Sequence, residues 1–395
     1  MKAVKRKFRI SVALLLAAVI FAAAMPAAAA QGDQGVEPLR FNDEGKFTIL
    51  QFADCQDDIL PRRAMLRMMS EAIDTYQPDL VVFTGDNIGG GNNPGYLLTA
   101  QAIKAVTAPV AAKGVPFAVV FGNHDHESNV AEEVQLAVYQ SIPGCLAYDA
   151  DPALYGCANY NLPVLASDGS KTSFNLWFFD SNEYDNATGG YDWVRDDQVA
   201  WYVDTGNALA AENGGKVPSL AFQHICPPET YQLLESVPAG TPDSKNRFGG
   251  NWALALNNEV AQGTILEWPC PSDTVSAQFG AFVSQGDVLG VAVGHDHVND
   301  FVGKYHGVDI IQTPGITYQS YGNDSVRGFR VITLDENNPW TYETQTPTFF
   351  DLFGTGPDAQ FINTFEGGEF AAFLPGVSDM IVVLIRFYQS MLSMF

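Results

Sequence analysis

The chain has 395 residues, of which 45 are acidic and 21 basic, giving a formal net charge of −24. So acidic a surface repels nucleic acid and anionic lipid, which excludes polyphosphate backbones as partners unless bound metal supplies positive charge. Length alone allows two domains, but the element pattern argues for one large α/β unit.

Residues 1–30 open with Lys2, Lys5, Arg6, Lys7 and Arg9, run through an apolar stretch over 10–25 and end in Ala28-Ala29-Ala30. A basic start, an apolar middle and a small-residue cleavage site predict a secretory signal peptide. The protein is therefore expected to be secreted or displayed at the cell surface, with a retained membrane anchor as the other reading of this segment. Removing the five basic residues leaves the rest more acidic still. Export also makes disulfides plausible: Cys145 and Cys157 flank one loop, Cys226 and Cys270 bracket another, and Cys55 is then the odd one out.

The main domain is expected over 31–352. Residues 47–52 alternate as a strand and end at Asp54; 64–76 have helical spacing through Met65, Met68, Met69, Ala72 and Ile73; 80–83 form a second strand that ends at Asp86. Strand, helix, strand with chemistry after each strand is a βαβ signature. The pattern repeats with a helix over 96–112, a strand over 117–121 delivering Asn123 and His124, and a helix over 130–140. From 145 to 184 the chain becomes irregular, with 174–179 its strongest strand. An amphipathic helix over 192–212 precedes a strand over 219–222 that ends at His224. The stretch 238–276 is rich in Gly, Pro and Asn and reads as a functional loop or insertion. Residues 288–293 lead into the last chemical segment, and 308–312, 329–334 and 341–344 finish as an antiparallel-looking sheet.

Residues 353–378 read as a Gly/Pro linker, and 379–395 as an amphipathic helix with Ile381, Leu384, Ile385, Tyr388, Met391, Leu392 and Phe395 on one face. Such a helix reaches at most ~25 Å at ~1.5 Å per residue, short of a ~30 Å hydrocarbon core. Contact with a membrane surface or a partner protein is expected in place of a bilayer span. Packing back on its own domain is the alternative.

Five segments carry the chemistry: Asp54-Cys55-Gln56, Gly85-Asp86-Asn87, Gly122-Asn123-His124-Asp125, His224 and Gly294-His295-Asp296-His297. Each follows an apolar strand-like run, so all five can meet at the carboxyl edge of a sheet. Taken singly, His224 is a loop residue before Pro227, and His295 and His297 are neighbours at a strand end. Taken together, carboxylate, amide and imidazole in this order suit two borderline metal ions sharing one bridging carboxylate, for which Asp86 is placed.

These segments resemble the calcineurin-like metallophosphoesterase signature, Asp-x-His, Gly-Asp, Gly-Asn-His-Asp/Glu, His and Gly-His-x-His, and four of the five match outright. The runs NLWFFDS at 175–181, DQVAWY at 197–202 and GHDHVNDF at 294–301 resemble the single-domain plant purple acid phosphatase-like branch. The resemblance implies an α/β fold of two mixed β-sheets packed as a sandwich and flanked by helices, in four layers α/β/β/α. It assigns Asp54, Gln56 and His297 to a first metal, Asn123, His224 and His295 to a second, and Asp86 to both, with Fe, Mn or Zn as the ions. His124 would touch the phosphate and protonate the leaving oxygen, and Asp125 would orient that imidazole. His126 is left as a substrate contact and His306 as structural.

Two departures bear on this expectation. Gln56 stands where the signature has histidine, and Gly89 where true purple acid phosphatases carry tyrosine, so no purple charge-transfer colour is expected. The expected activity is hydrolysis of a small phosphate monoester by hydroxide activated between the metals. Gln56 keeps a phosphodiesterase or nucleoside-diphosphate-linked hydrolase open. A non-catalytic, surface-associated binding protein displaying the C-terminal helix is the reading from another class.

Overall fold

The structure is a computed structural model that describes residues 37–247 and 249–392. The expected signal peptide, residues 1–30, lies outside the described residues, as do the last three positions of the expected C-terminal helix. In the first part of the chain, β1 (Lys46–Phe52), α1 (Arg63–Tyr76), β2 (Leu80–Thr84), α2 (Tyr96–Lys113) and β3 (Phe117–Val120) follow the expected order. Helix α1 buries Met65, Met68, Met69, Ala72 and Ile73, the apolar stripe that a 3.6-residue period predicts.

The middle holds α3 (Asn123–His126), α4 (Glu132–Gln140), β4 (Tyr160–Leu165), β5 (Thr172–Phe178), α5 (Asp196–Asn213) and β6 (Ser219–Phe222). Strand β4 lies in a stretch expected to be irregular, and it carries Pro163. It is the outer strand of its sheet, where a missing N–H leaves no ladder bond unmade. The stretch 238–276, expected as a loop, is partly ordered. Strands β7 (Leu234–Pro238), β8 (Ser244–Lys245) and β9 (Trp252–Leu256) make a small three-stranded sheet, and β10 (Ala261–Thr264) joins the large one.

Then follow α6 (Gln278–Gln285), β11 (Val288–Val293), β12 (Asp300–Tyr305), β13 (Val308–Gln312), β14 (Arg330–Asp335) and β15 (Tyr342–Gln345). A five-stranded sheet runs β15-β14-β1-β2-β3, and a seven-stranded sheet runs β10-β12-β13-β11-β6-β5-β4. The three strands expected to finish as one antiparallel sheet therefore part company. β14 and β15 extend the first sheet, whereas β13 pairs in parallel with β11 in the second. A tight hairpin sends β13 there: Tyr305 pairs with Val308 across His306 and Gly307, both at positive φ (48° and 89°), as a type I′ turn requires. His306 is thus a turn residue.

Alternation along the strands builds the layers. Phe174, Leu176 and Phe178 of β5 point into the core between the sheets, and Trp177 points the other way, against Tyr202 of α5. In β6 and β11, Phe222 and Ala292 lie in that inner core, while Ala221, Val291 and Val293 join the outer cluster with α5 and α6. Tyr160, Phe178 and Phe222 stack across three strands at 4.4 and 5.4 Å. With α1 and α2 on the far face of the five-stranded sheet, the order is helix, sheet, sheet, helix, as expected. The five cysteines are free thiols, and Cys145 and Cys157 pack into the inter-sheet core as small apolar side chains, without the expected pairing.

Residues 353–378, expected as a linker, are folded onto the domain. Helices α7 (Phe349–Phe353), α8 (Pro357–Phe361) and α9 (Pro375–Leu392) are joined by short helical turns at Ile362–Glu366 and Glu369–Phe373. Phe349, Ala359, Ile362 and Val382 enter the main core. Glu366 anchors this segment: fully buried, it accepts two 2.8 Å hydrogen bonds from Arg67 of α1 and one from the Ser378 hydroxyl. Asp379 adds a 2.8 Å ion pair to the same arginine. Gly and Pro content signals breaks between elements, which explains the expectation, but it says nothing of a buried carboxylate between them.

Glu366→Ala strips a buried partner from Arg67 and Ser378 together. It is expected to lower stability by roughly 2–3 kcal/mol, measured as a shift in the urea midpoint with an unchanged m-value.

Candidate metal centre

Strands β1, β2 and β3 are parallel neighbours in one sheet, and β6 and β11 are parallel neighbours in the other. The chain leaves each of these five strands at its carboxyl end through one of the five chemical segments, and the segments meet where the two sheets abut. Four of the residues there sit in the left-handed region: Asp54 (φ 51°), Gln56 (φ 42°), Asp86 (φ 48°) and His295 (φ 73°). Such backbone is uncommon outside glycine and clusters at functional sites. It is tied down locally, with Asp54 N–H donating to Gly85 O at 3.2 Å and Gln56 N–H to Asp86 O at 2.8 Å. Gly85 is held at φ 82°, and a Cβ there would lie 2.6 Å from the His224 ring.

Asp54, Gln56, Asp86, Asn123, His224, His295 and His297 are all buried. One donor atom each from Asp86, His224 and His295 fall within 4.8 Å of one another, and so do those of Asp54, Asp86 and His297. Asp86 is the member common to both groups, the position a bridging ligand occupies. Its Oδ2 lies 3.2 Å from His224 Nε2, and its Oδ1 accepts the His124 N–H at 2.7 Å. His297 Nε2 approaches Asp54 Oδ1 to 3.5 Å, and His295 Nδ1 faces His224 Nε2 at 3.3 Å.

The remaining atoms of these groups are engaged in ways that aim the donors. The His224 and His297 Nδ1 atoms lie 2.9 Å from the carbonyls of Thr84 and Tyr321, which they meet as N–H donors, and this directs both Nε2 atoms toward the carboxylates. Asn123 Nδ2 donates to the Tyr184 hydroxyl at 2.8 Å. Its Oδ1 is buried with no hydrogen-bond partner, a polar atom that a cation would satisfy. Gln56 donates from Nε2 to Asp86 Oδ2 at 3.0 Å, so its amide bonds the shared carboxylate in this arrangement. Three imidazoles, two carboxylates and an orphaned amide oxygen fit a pair of borderline divalent ions.

Charge is distributed unevenly. Burial pushes Asp86 up, but facing His224, its hydrogen bond, and His124 and His295 beyond it hold the carboxyl well below the usual range. Burial works against a charged His224, yet Asp86 and Asp54 raise it to about 10. Burial and the neighbouring imidazolium hold His295 down at about 3, and burial foremost holds His297 at about 4. Ligation at His224 therefore displaces a proton, whereas His295 and His297 already present neutral nitrogens.

His124 and Asp125 part ways. His124 Nε2 is 4.0 Å from Asp86 Oδ2 at the mouth of the centre, and its Nδ1 is 2.9 Å from Glu127 Oε1. Asp125, expected to steer that ring, turns inward and accepts backbone N–H groups of Gly122 (2.9 Å), Ile88 (3.1 Å) and Asn87 (3.3 Å). Helix geometry gives the reason: residues one apart diverge around a turn, while i and i+3 share a face. Asp125 ties the β3 loop to the β2 loop, and Glu127 holds the ring. His126, expected as a substrate contact, faces Glu132 at 2.7 Å.

The rim adds three aromatic rings that the sequence reading missed. Tyr321 stacks flat on His297 (4.1 Å, 2°) and donates to Glu267 at 2.9 Å. Tyr191 meets His295 edge-on at 4.3 Å and stacks on Tyr184. Glu127 was within reach of spacing rules. Tyr321 follows His297 by 24 positions, across β12 and β13, and nothing local marks it.

Residues 47–299 match the family profile described as calcineurin-like phosphoesterase. The chain is 32% identical over 333 residues to "Probable inactive purple acid phosphatase 29" of Arabidopsis thaliana, a match covering 76% of this chain and 79% of that one. It is 29% identical over 357 residues to "Probable inactive purple acid phosphatase 14" of the same plant, covering 82% and 83%. "Phosphatase DCR2" of Saccharomyces cerevisiae is 30% identical over 292 residues, covering 68% of this chain and 47% of that one.

Gly85→Ala would drive a methyl group into the His224 ring and strain a left-handed residue. Bound metal, counted by plasma mass spectrometry after manganese loading, is expected to fall by at least one equivalent relative to the unsubstituted protein while far-ultraviolet circular dichroism stays unchanged.

Proposed function

The chain belongs to the calcineurin-like phosphoesterase family, and on that premise we propose that it is an exported, catalytically active enzyme hydrolysing small phosphate monoesters. The observation that carries this reading is the pair of donor groups sharing Asp86, with the His124 imidazole at their mouth. Two plant relatives are named inactive. Activity here is argued from this chain's own donors, since Asp54, Gln56, Asp86, Asn123, His224, His295 and His297 are all present and converge.

Asp54, Gln56 and His297 would hold one ion, Asn123, His224 and His295 the other, and Asp86 both. When bound, such ions supply charge neutralisation at phosphorus and an activated water. The chain's own groups do the rest. His124, held through Nδ1 by Glu127, presents Nε2 toward the centre, where it can donate a proton to the departing alcohol. Asp125 fixes the loop that carries it. Tyr184 keeps the Asn123 amide turned so that its oxygen faces the centre, and the Tyr321 ring walls one side of His297.

Asp86→Asn is expected to abolish turnover by several orders of magnitude in a folded protein, and near-normal rates would sink the proposal. His124→Ala should cost roughly 10²–10⁴-fold on an alkyl phosphate, and less on p-nitrophenyl phosphate, whose leaving group needs no proton. Faster turnover of bis-p-nitrophenyl phosphate than of the monoester would replace the phosphatase reading with a phosphodiesterase.

We also propose that α9 rests on a neutral lipid surface. No described helix is long and apolar enough to cross a membrane. The charges of α9 are paired with neighbouring elements, Asp379 with Arg63 and Arg67 and Arg386 with Asp358. Met380, Val383, Leu384, Phe387, Tyr388 and Met391 stay exposed, continuous with Phe370 and Phe373. An uncharged apolar face on a body of charge −24 fits a zwitterionic surface, where neither an anionic bilayer nor a second equally acidic copy escapes repulsion. The full chain should float with phosphatidylcholine vesicles, and Leu384→Glu with Phe387→Glu should release it. A chain that stays in the aqueous fraction, or elutes as a dimer without binding vesicles, overturns this placement.

A further inference from the structure

Beside the Asp86 centre lies a second group of ligand-type side chains. One donor atom each from His126, Glu132 and Asp180 fall within 4.8 Å of one another. His126 Nε2 and Glu132 Oε1 are 2.7 Å apart, and His126 Nδ1 is 3.8 Å from Glu183 Oε1. Both atoms are buried, and neither has a hydrogen-bond partner of good geometry besides that close ion-pair contact. The Glu132 side chain is only 10% exposed, and Asp180 is fully buried. Asp180 accepts backbone N–H groups of Cys157 and Asn182, each at 2.8 Å, which fixes its carboxylate in place.

The charge on this group does not balance. Burial opposes a charged ring at His126, yet Glu132, Asp180 and Glu183 hold it up at about 9. Burial pushes the Glu132 and Asp180 carboxyls up as well, Asp180 far above the usual range, so one ring faces two buried acids and the half-exposed Glu183. Burying uncompensated like charges is expensive, and proteins resolve it by protonation or by a cation. Three buried or nearly buried donor atoms converging within 4.8 Å, one of them on an aspartate already fixed by two backbone N–H groups, favour the cation.

We propose that His126, Glu132 and Asp180 form a third divalent-cation site, separate from the Asp86 centre, with Glu183 at its outer side. One imidazole nitrogen and carboxylate oxygens suit Mn(II) or Zn(II). The site is structural, and it holds whether or not the Asp86 centre hydrolyses anything. His126 closes the helical turn that begins at Asn123. Asp180 begins the loop in which Ser181 accepts the Ile225 N–H at 2.9 Å, next to His224, and Tyr184 holds Asn123. A cation here staples the loop after β3 to the loop after β5, and so positions two donors of the neighbouring centre.

Manganese-loaded full-length protein, washed free of excess ion, is expected to carry three equivalents, and Glu132→Gln two, with a lower thermal midpoint. Crystals of the wild type soaked in manganese should show an anomalous peak between His126 and Glu132 besides those at Asp86, a readout that does not depend on any variant folding. Two equivalents in the wild type, or anomalous peaks at Asp86 alone, overturn the proposal and leave a proton shared among the carboxylates. A Glu132→Gln protein that keeps three equivalents overturns it equally.

Discussion

The contact between Asp86 and His224 holds this molecule's two halves in register. Asp86 leaves the five-stranded sheet, His224 leaves the seven-stranded one, and the pair meets at 3.2 Å with both side chains fully out of water. Neither group is tolerable there alone, because a buried charge without its partner is among the costliest defects a fold can carry. Their proximity dictates the backbone around them. Glycine precedes Asp86 because nothing larger clears the histidine ring, and the left-handed twists at Asp54, Gln56 and Asp86 follow from squeezing three loops into one corner.

The acidity of the chain gives this corner its chemical meaning. A protein with 45 acidic and 21 basic residues offers little general attraction to a phosphate ester. The rim continues that character, with Glu127 behind His124 and Glu267 behind Tyr321. Positive charge has to be imported, and the inward-facing imidazoles and carboxylates are what can import it. Aromatic rings packed on His295 and His297 then hold those imidazoles in single orientations while excluding water from their flanks.

Much of this was readable from residue order. Apolar runs of strand length, each ending in Asp, Asn or His, located β1, β2, β3, β6 and β11 and the side chains they deliver, because strand burial and loop chemistry leave strong local marks. What escaped depended on contacts distant in sequence. Asp125 was read as steering His124 since it is adjacent, but a helical turn hands that task to Glu127. Strand β4 was obscured by Pro163, which only an edge position excuses. The segment after Phe353 looked like a linker because its breaks are visible in composition, whereas Glu366 gripping Arg67 across 299 positions is not. The Tyr321 lid on His297 was silent for the same reason.

The placement of β1 between β2 and β14 also sets when the fold can close. Lys46 to Gln51 pair with Asp335 to Arg330, so the first strand to be synthesised waits for one of the last. Until then one flank of β1 is a bare row of amides and carbonyls beside a hydrophobic face, open to association with other nascent chains. Such long-range closure makes the five-stranded sheet slow to complete. The export proposed above would gain from that delay, because a nascent polypeptide that cannot seal its sheet early stays threadable until its carboxyl-terminal strands have emerged.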